Sequence, residues 1–304
     1  MYCMDNPTLF VTDIERSAIH DGPGLRTVVF MQGCCLRCYW CCNPETRPVQ
    51  PVLLHDVKTC VGCGACVSVC PNGAISLQEG RAVVERHRCS GCGKCVAPCP
   101  VGANTLSGQA MTVVAIMAEV EKDRSYYAAT GGGMTLSGGE PLLQKGVAAL
   151  LRCAKERGIS TWVETTACLP WETIAAAQPY IDGFYVDYKH PDGEALRLAT
   201  GADLSLVEEN LRRLVELGAR VTLRTPVIPG FNEDRDLLHR CVAFSASLGL
   251  QRHVLLPYHS LGRGKYEKLG LPYPLKDVPN MEPAALEDVR AIGTELGVEI
   301  QIGG

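Results

Sequence analysis

Residues 26–42 read Arg26-Thr27-Val28-Val29-Phe30-Met31-Gln32-Gly33-Cys34-Cys35-Leu36-Arg37-Cys38-Tyr39-Trp40-Cys41-Cys42. The run Thr27-Val28-Val29-Phe30-Met31 is β-branched and apolar and follows the turn residues Asp21-Gly22-Pro23-Gly24, so it reads as a strand. Directly after it, five thiols fall within nine residues. So dense a group of sulfur is a disulfide knot, a zinc site or an iron–sulfur site. The other twelve cysteines, and the residues after each later strand, decide which.

Composition narrows the choice. The chain has 304 residues, is 46% hydrophobic and 20% charged, and carries a formal net charge of -4. That length holds one large domain with an insert, or two ordinary ones. There is no basic excess to bind nucleic acid and no charge run to form a solvated tail. No apolar stretch approaches the ~18 residues of a membrane span. The opening Met1-Tyr2-Cys3-Met4-Asp5 lacks the basic and apolar regions of a signal peptide, so the cytoplasm is the expected compartment. Thiols stay reduced there, and seventeen cysteines then point to metal rather than disulfides. A monomer is expected.

Between residues 60 and 100 the sequence becomes glycine-rich and dense in cysteine, and it repeats itself. Cys60-Val61-Gly62-Cys63-Gly64-Ala65-Cys66-Val67-Ser68-Val69-Cys70-Pro71 is followed by Cys89-Ser90-Gly91-Cys92-Gly93-Lys94-Cys95-Val96-Ala97-Pro98-Cys99-Pro100. Each run wraps three thiolates around one 4Fe–4S cube and sends its fourth cysteine to the other cube. The ligand sets are therefore Cys60, Cys63, Cys66 and Cys99, and Cys89, Cys92, Cys95 and Cys70. Zinc sites favour paired Cys-x2-Cys knuckles instead. The module resembles a bacterial two-cluster ferredoxin and is expected over residues 55–106, inserted between a core of residues 1–54 and its remainder, 107–304.

From residue 107 onward, helix and strand alternate. Helices are expected over 112–127, 142–157, 171–178, 205–217, 234–248 and 283–296. Strands are expected over 134–137, 160–164, 184–187, 220–225, 253–256 and 298–302. Repeated βα units make a parallel sheet with helices outside, a full or partial barrel. In such a barrel, reactive groups collect at the carboxyl ends of the strands. Here those ends carry the cysteines, then Ser137-Gly138-Gly139-Glu140-Pro141, Glu164, Asp187-Tyr188-Lys189, Arg224, and Tyr258-His259. Polar groups at six successive strand ends imply one shared site. Cys34-x3-Cys38-x2-Cys41 offers three thiolates, which leaves one iron of a cube open for chemistry. Cys35-x2-Cys38-x2-Cys41 has equally plausible spacing.

This combination resembles a radical S-adenosylmethionine enzyme, and more closely a glycyl-radical-enzyme activating enzyme of the subgroup with a ferredoxin-like insert. The likeness rests on Asp21-Gly22-Pro23-Gly24-Leu25-Arg26-Thr27, on residues 131–144 (GGGMTLSGGEPLLQ), and on Asp187-Tyr188-Lys189. It extends to Thr200-Gly201, Ile228-Pro229-Gly230 and Leu255-Leu256-Pro257-Tyr258-His259. It implies an α/β fold, a partial (β/α)6 TIM-like barrel of the radical type with the inserted α+β module. It also implies that Cys34, rather than Cys35, ligates with Cys38 and Cys41. Cofactor contacts are implied for Trp40, Cys41, Cys42, Gly138, Gly139, Glu140, Asp187, Tyr188, Lys189 and His259, with Glu164 and Arg224 beside them. Cys42 stands where relatives carry His or Ser, and Ala167 where many have Gly.

The activity implied is reductive cleavage of S-adenosylmethionine to a 5′-deoxyadenosyl radical, which takes a hydrogen from a glycine of a partner glycyl radical enzyme. Three 4Fe–4S clusters are implied, with a flavodoxin or ferredoxin as electron donor. A radical enzyme acting on a small molecule or peptide is the alternative, but it needs a pocket closed by further chain. A pure electron carrier needs no polar groups on six strand ends.

Overall fold

A computed structural model describes residues 6–303; the reading of residues 1–5 as leaderless lies outside the described residues. The elements in order are β1 (Thr8–Ala18), β2 (Arg26–Met31), β3 (Val52–His55), α1 (Ala65–Ser68), β4 (Ile75–Gln78), β5 (Arg81–Val84), β6 (Asn104–Ser107), β7 (Gln109–Thr112), α2 (Val113–Val120) and α3 (Arg124–Thr130). Then come β8 (Gly133–Gly138), α4 (Val147–Glu156), β9 (Ser160–Thr165), α5 (Trp171–Ala177), β10 (Gly183–Asp187), α6 (Gly193–Thr200), α7 (Leu204–Glu216) and β11 (Val221–Val227). The chain closes with α8 (Arg235–Ser247), β12 (Arg252–Pro257), α9 (Arg263–Leu269), α10 (Val289–Leu296) and β13 (Glu299–Ile302).

One nine-stranded sheet runs β13-β12-β11-β10-β9-β8-β2-β1-β7. Its pairs from β2 to β13 are all parallel, as expected for βα units, and the sheet is open: a partial barrel. The parallel part is one strand longer than six, because β13 pairs with β12. Two antiparallel strands, β1 and β7, extend the edge beside β2. They were not expected, since the polar run Asp13-Ile14-Glu15-Arg16-Ser17 in β1 breaks any apolar pattern. Parallel strands covered on both faces read as continuous apolar runs, and β2 is buried along nearly all its length.

Two expected helices start late or break. The one expected from 142 begins at Val147, because Glu140 accepts from the Leu142 N–H in a tight turn and Gln144 is extended. The one expected to run to 127 is interrupted at Glu121–Asp123, where the Asp123 carboxylate accepts from Arg16 and the Thr27 hydroxyl.

The insert folds as two β-pairs, β3–β6 and β4–β5. The β3–β6 ladder pairs Val52 with Ser107 and His55 with Asn104. It leans on α9 of the core: Lys58 pairs with Glu267 at 2.6 Å, Asp56 with Lys268 at 3.8 Å, and Arg86 donates to the Lys268 carbonyl at 2.6 Å. Among the described residues, fifteen cysteines are free thiols and Cys153 is disulfide-bonded.

Gln144 fastens the unexpected strand to the barrel. Its Oε1 accepts from the Phe10 N–H at 2.8 Å, while Nε2 donates to the Phe10 and Gln32 carbonyls at 2.8 and 2.7 Å. Gln144→Leu takes this partner from the Phe10 N–H and the Gln32 carbonyl, leaves the Phe10 carbonyl with the Gln32 N–H alone, and should lower stability to chemical denaturation by about 2 kcal/mol. A change under about 0.5 kcal/mol, the scale of an ordinary surface substitution, would show that water replaces the amide.

Candidate functional site: a cysteine-rimmed cavity at the strand ends

The loop after β2 is stitched to the loop after β8 by backbone bonds. Gly33 N–H donates to the Thr46 carbonyl at 2.6 Å, Glu140 N–H to the Gly33 carbonyl at 2.7 Å, and Gly139 N–H to the Met31 carbonyl at 2.9 Å. A Cβ on Gly139 would lie 2.1 Å from the Gly33 oxygen, so the approach requires glycine. These bonds set the cysteines over the carboxyl ends of the parallel strands.

Together they rim an open cavity. Cys34, Cys38, Trp40, Cys41 and Cys42 line one side, and Ser137, Gly138 and Gly139 another. Glu164, Asp187, Lys189, Arg224 and His259 complete it. All six strand ends thus reach one space. Cys35 is absent from this lining; it is exposed, and its thiol lies 3.6 Å from the Cys168 carbonyl. The Cys34 sulfur accepts from the Leu36 N–H at 3.4 Å, and Cys34 titrates below the usual range, chiefly through a hydrogen bond from Cys35. Burial pushes the Cys38 thiol up to about 12 and Cys42 to about 11. A buried thiol resists losing its proton until a cation takes the proton's place.

Opposite the thiols lies a charge network. Arg224 donates to Glu164 at 2.6 Å and to Asp187 at 3.4 Å, and Lys189 pairs with Asp187 at 2.5 Å. Ser137 also donates to Glu164 at 2.5 Å. Burial alone would raise the Asp187 carboxyl, but Lys189 and Arg224 outweigh it and hold it below its usual value. Two carboxylates against two cations leave the wall neutral yet strongly polar.

Two expected contacts point elsewhere. The Glu140 carboxylate is fully buried and clamps the next loop, accepting from Thr165 Oγ1, Thr166 Oγ1 and Thr166 N–H at 2.7, 2.7 and 2.8 Å. The Tyr188 ring leaves the cavity, stacks on Phe244 at 4.7 Å and donates to Glu208 at 2.9 Å. Alternation explains Tyr188, since its neighbours Asp187 and Lys189 face the cavity. Ala167 adopts φ 52°, keeping the left-handed turn that glycine favours, and is fully buried.

Two groups near the site escaped the sequence reading. Asp21 sits beside Glu164, and burial, then that like charge, raises it to about 6. Arg47 donates to the Cys38 carbonyl at 2.5 Å and to the Tyr266 hydroxyl at 3.1 Å, tying α9 to the cysteine loop. An isolated arginine gives no pattern by which to find it.

The insert holds two smaller cavities. Cys60, Cys63, Cys66 and Cys99 line the first; Cys70, Cys89, Cys92 and Cys95 line the second. In each, three cysteines of one run share the cavity with the fourth cysteine of the other run. The donor sets fit closed four-thiolate clusters in the insert and a three-thiolate site on the barrel.

Comparison with known proteins agrees with this architecture. Residues 84–241 match the Radical SAM superfamily, and residues 59–103 match the 4Fe-4S dicluster domain. The chain is 36% identical to the isethionate sulfite-lyase activating enzyme of Desulfovibrio desulfuricans, over 99% of both chains. It is 39% identical to the choline trimethylamine-lyase activating enzyme of Oleidesulfovibrio alaskensis, over 92% of this chain and 93% of that one. A radical SAM methyltransferase from Sphaerobacter thermophilus shares the fold, with TM-score 0.55 and 13% identity over 96% of this chain and 76% of that one. The chain belongs to the radical SAM superfamily and, within it, to the activating enzymes of glycyl radical enzymes. It is an oxidoreductase that uses iron–sulfur clusters and S-adenosylmethionine. Among the described residues, no helix is long and apolar enough to cross a membrane.

Arg224→Ala leaves Glu164 and Asp187 facing each other at adjacent strand ends, and should cost about 3 kcal/mol of stability at pH 7. Asp187 has a depressed folded pKa, so its share of that loss is full above the ordinary aspartate value of about 4 and vanishes as pH falls through the folded value. Denaturation of the cofactor-free chain at pH 7 and pH 3 checks this; an equal loss at both would contradict it.

Proposed function

We propose that Cys34, Cys38 and Cys41 hold a 4Fe–4S cluster with one iron open, that the strand-end cavity takes S-adenosylmethionine, and that the insert carries two further clusters. The supporting observation is that these three thiols and five charged or polar strand ends share one cavity, while Cys35 stands outside it. When bound, these groups supply one electron and the 5′-deoxyadenosyl radical that removes a hydrogen from a glycine of the partner glycyl radical enzyme.

The chain's own residues bind, orient and shield. Gly138 and Gly139 open the wall so that a ligand's amino group reaches backbone. Asp187 and Glu164 face the sulfonium and the amino group with negative charge, and Lys189, Arg224 and His259 offer donors to carboxylate and ribose. Trp40 packs on Phe231 with ring centroids 4.9 Å apart, and Tyr39 packs edge-on to Trp40, which keeps water from that side of the thiols. Glu140 and Tyr188 hold the frame rather than the ligand. Cys42 lies within the cavity as an additional thiol that no ligand set uses.

A wide mouth suits a protein substrate, which supports a glycyl radical enzyme over a small molecule. The relatives' names differ in partner, among them a sulfite lyase, a trimethylamine lyase and the trans-4-hydroxy-L-proline dehydratase of Clostridioides difficile. A flavodoxin or ferredoxin would deliver electrons through the insert to a cytoplasmic, monomeric enzyme.

Cys34→Ala and Cys38→Ala should each abolish S-adenosylmethionine cleavage under reductant, whereas Cys35→Ala should keep both cleavage and the cluster's iron. Product assay and iron analysis decide. Cleavage that survives Cys38→Ala, or is lost only with Cys35→Ala, would sink the assignment.

A further inference from the structure

The insert is an internal repeat, and its halves place the same glycine against different parts of the molecule. Gly62 lies between Cys60 and Cys63, and Gly91 between Cys89 and Cys92. Both adopt left-handed backbone, with φ 69° and 66°. A Cβ on Gly62 would lie 2.0 Å from the Gly80 carbonyl oxygen, and one on Gly91 would lie 1.9 Å from that of Pro51. Each cysteine loop is therefore in backbone contact with another segment, an approach that glycine permits. Gly80 is exposed, in the turn between β4 and β5. Pro51 stands one residue before β3, where the chain enters the insert.

The Pro51 side is the barrel side. Gln32 is fully buried, and its Nε2 donates to the Glu45 and Gln50 carbonyls at 2.7 and 3.2 Å. Two residues on, the Cys34 N–H donates to the Arg47 carbonyl of the same segment at 3.0 Å. The Gly91 loop is thus one packed contact, one peptide and one hydrogen bond away from the strand end that carries Cys34. Position along β3 gives the same order. Leu53 lines the cavity of Cys70, Cys89, Cys92 and Cys95, whereas His55, farther from the junction, lines that of Cys60, Cys63, Cys66 and Cys99. Two residues of strand span roughly 7 Å. On the β4–β5 hairpin, Ala82 beside the exposed turn lines the Cys60 cavity, and Ile75 at the other end lines the Cys89 cavity.

We propose that the insert conducts in a fixed order: the half of Cys60, Cys63, Cys66 and Cys99 takes the electron from a carrier protein, and the half of Cys89, Cys92, Cys95 and Cys70 hands it across the Gly91–Pro51 contact toward Cys34. This order rests on the two-cluster reading of the insert. Electron tunnelling falls steeply with distance and is fastest through bonded and packed atoms, so the half packed on the junction delivers and the other receives. The Cys60 half meets the core through the tips of long side chains, Lys58 on Glu267 and Lys268 on Asp56. The reductant is a flavin carrier protein, whose hydroquinone anion gives one electron and becomes the neutral semiquinone. No bond forms or breaks in this chain, and no proton passes between the halves.

Gly62→Ala and Gly91→Ala impose the same left-handed strain and the same clash with a carbonyl, so damage to folding alone falls on both. In the full chain reconstituted with iron and sulfide and reduced with dithionite, pulsed electron paramagnetic resonance reads how the insert speeds spin relaxation at the Cys34 site. Gly91→Ala should lose most of that acceleration, and Gly62→Ala should keep it. Equal effects, no effect, or a loss confined to Gly62→Ala would overturn the order. Cys60→Ser/Cys63→Ser tests it without Gly91: the acceleration should persist, while reduction of the Cys34 site by flavodoxin hydroquinone is lost and reduction by dithionite remains. Loss of the acceleration there, or continued reduction by flavodoxin, would also overturn it. Unchanged iron content in that double variant would instead overturn the two-cluster reading beneath it.

Discussion

The Arg224 guanidinium, lying between Glu164 and Asp187, is the contact on which the site depends. Three neighbouring parallel strands end in charged groups that face one another in a partly desolvated mouth. Without Arg224, two carboxylates would repel there at low dielectric; with it, and with Lys189, the wall is neutral in sum. A neutral wall of strong dipoles can meet a ligand that is itself both cationic and anionic, as S-adenosylmethionine is. The pairs fix the side chains in place, so little reorganisation is left for the moment of reaction.

The second constraint is backbone. Gly33, Gly139 and Glu140 exchange main-chain bonds across two loops, and a side chain at Gly139 would collide with the Gly33 oxygen. This contact sets the cysteine loop over the cavity. From the far side, α9 secures the same loop through Arg47 and Tyr266, and Lys265 pairs with Glu45 at 2.5 Å. Because α9 also meets the insert at Lys58 and Arg86, one helix joins the insert to the cysteine loop.

Much of this was legible in the chain. Parallel strands buried on both faces must be continuously apolar, so β2, β8 and β9 announced themselves. Crossed cysteine spacing described both insert cavities, because a four-iron cube dictates how far apart its ligands fall along a tight loop. Local signals failed where a side chain took over backbone work. Gln144 closed off β1, and Glu140 delayed a helix; neither leaves a periodic trace. The Tyr188 ring turns from the cavity for a different reason: a motif names neighbours, while the pleat sends alternate side chains to opposite faces.

The sequence by itself determined the class of chemistry. Seventeen cysteines, their spacing and the six polar strand ends leave few other uses for such residues. Spacing left Cys34 and Cys35 equivalent, and only the tertiary structure puts Cys34 on the cavity wall and Cys35 off it. The two are adjacent in the chain and chemically identical, and their spacings to Cys38 are equally plausible. The turn at Gly33 sends one thiol into the cavity and leaves the other at the surface beside Cys168. Tertiary structure likewise decided that Gly91 packs on Pro51 while Gly62, its counterpart in the repeat, packs on Gly80. Orientation across a fold depends on packing between distant segments, which no local spacing encodes.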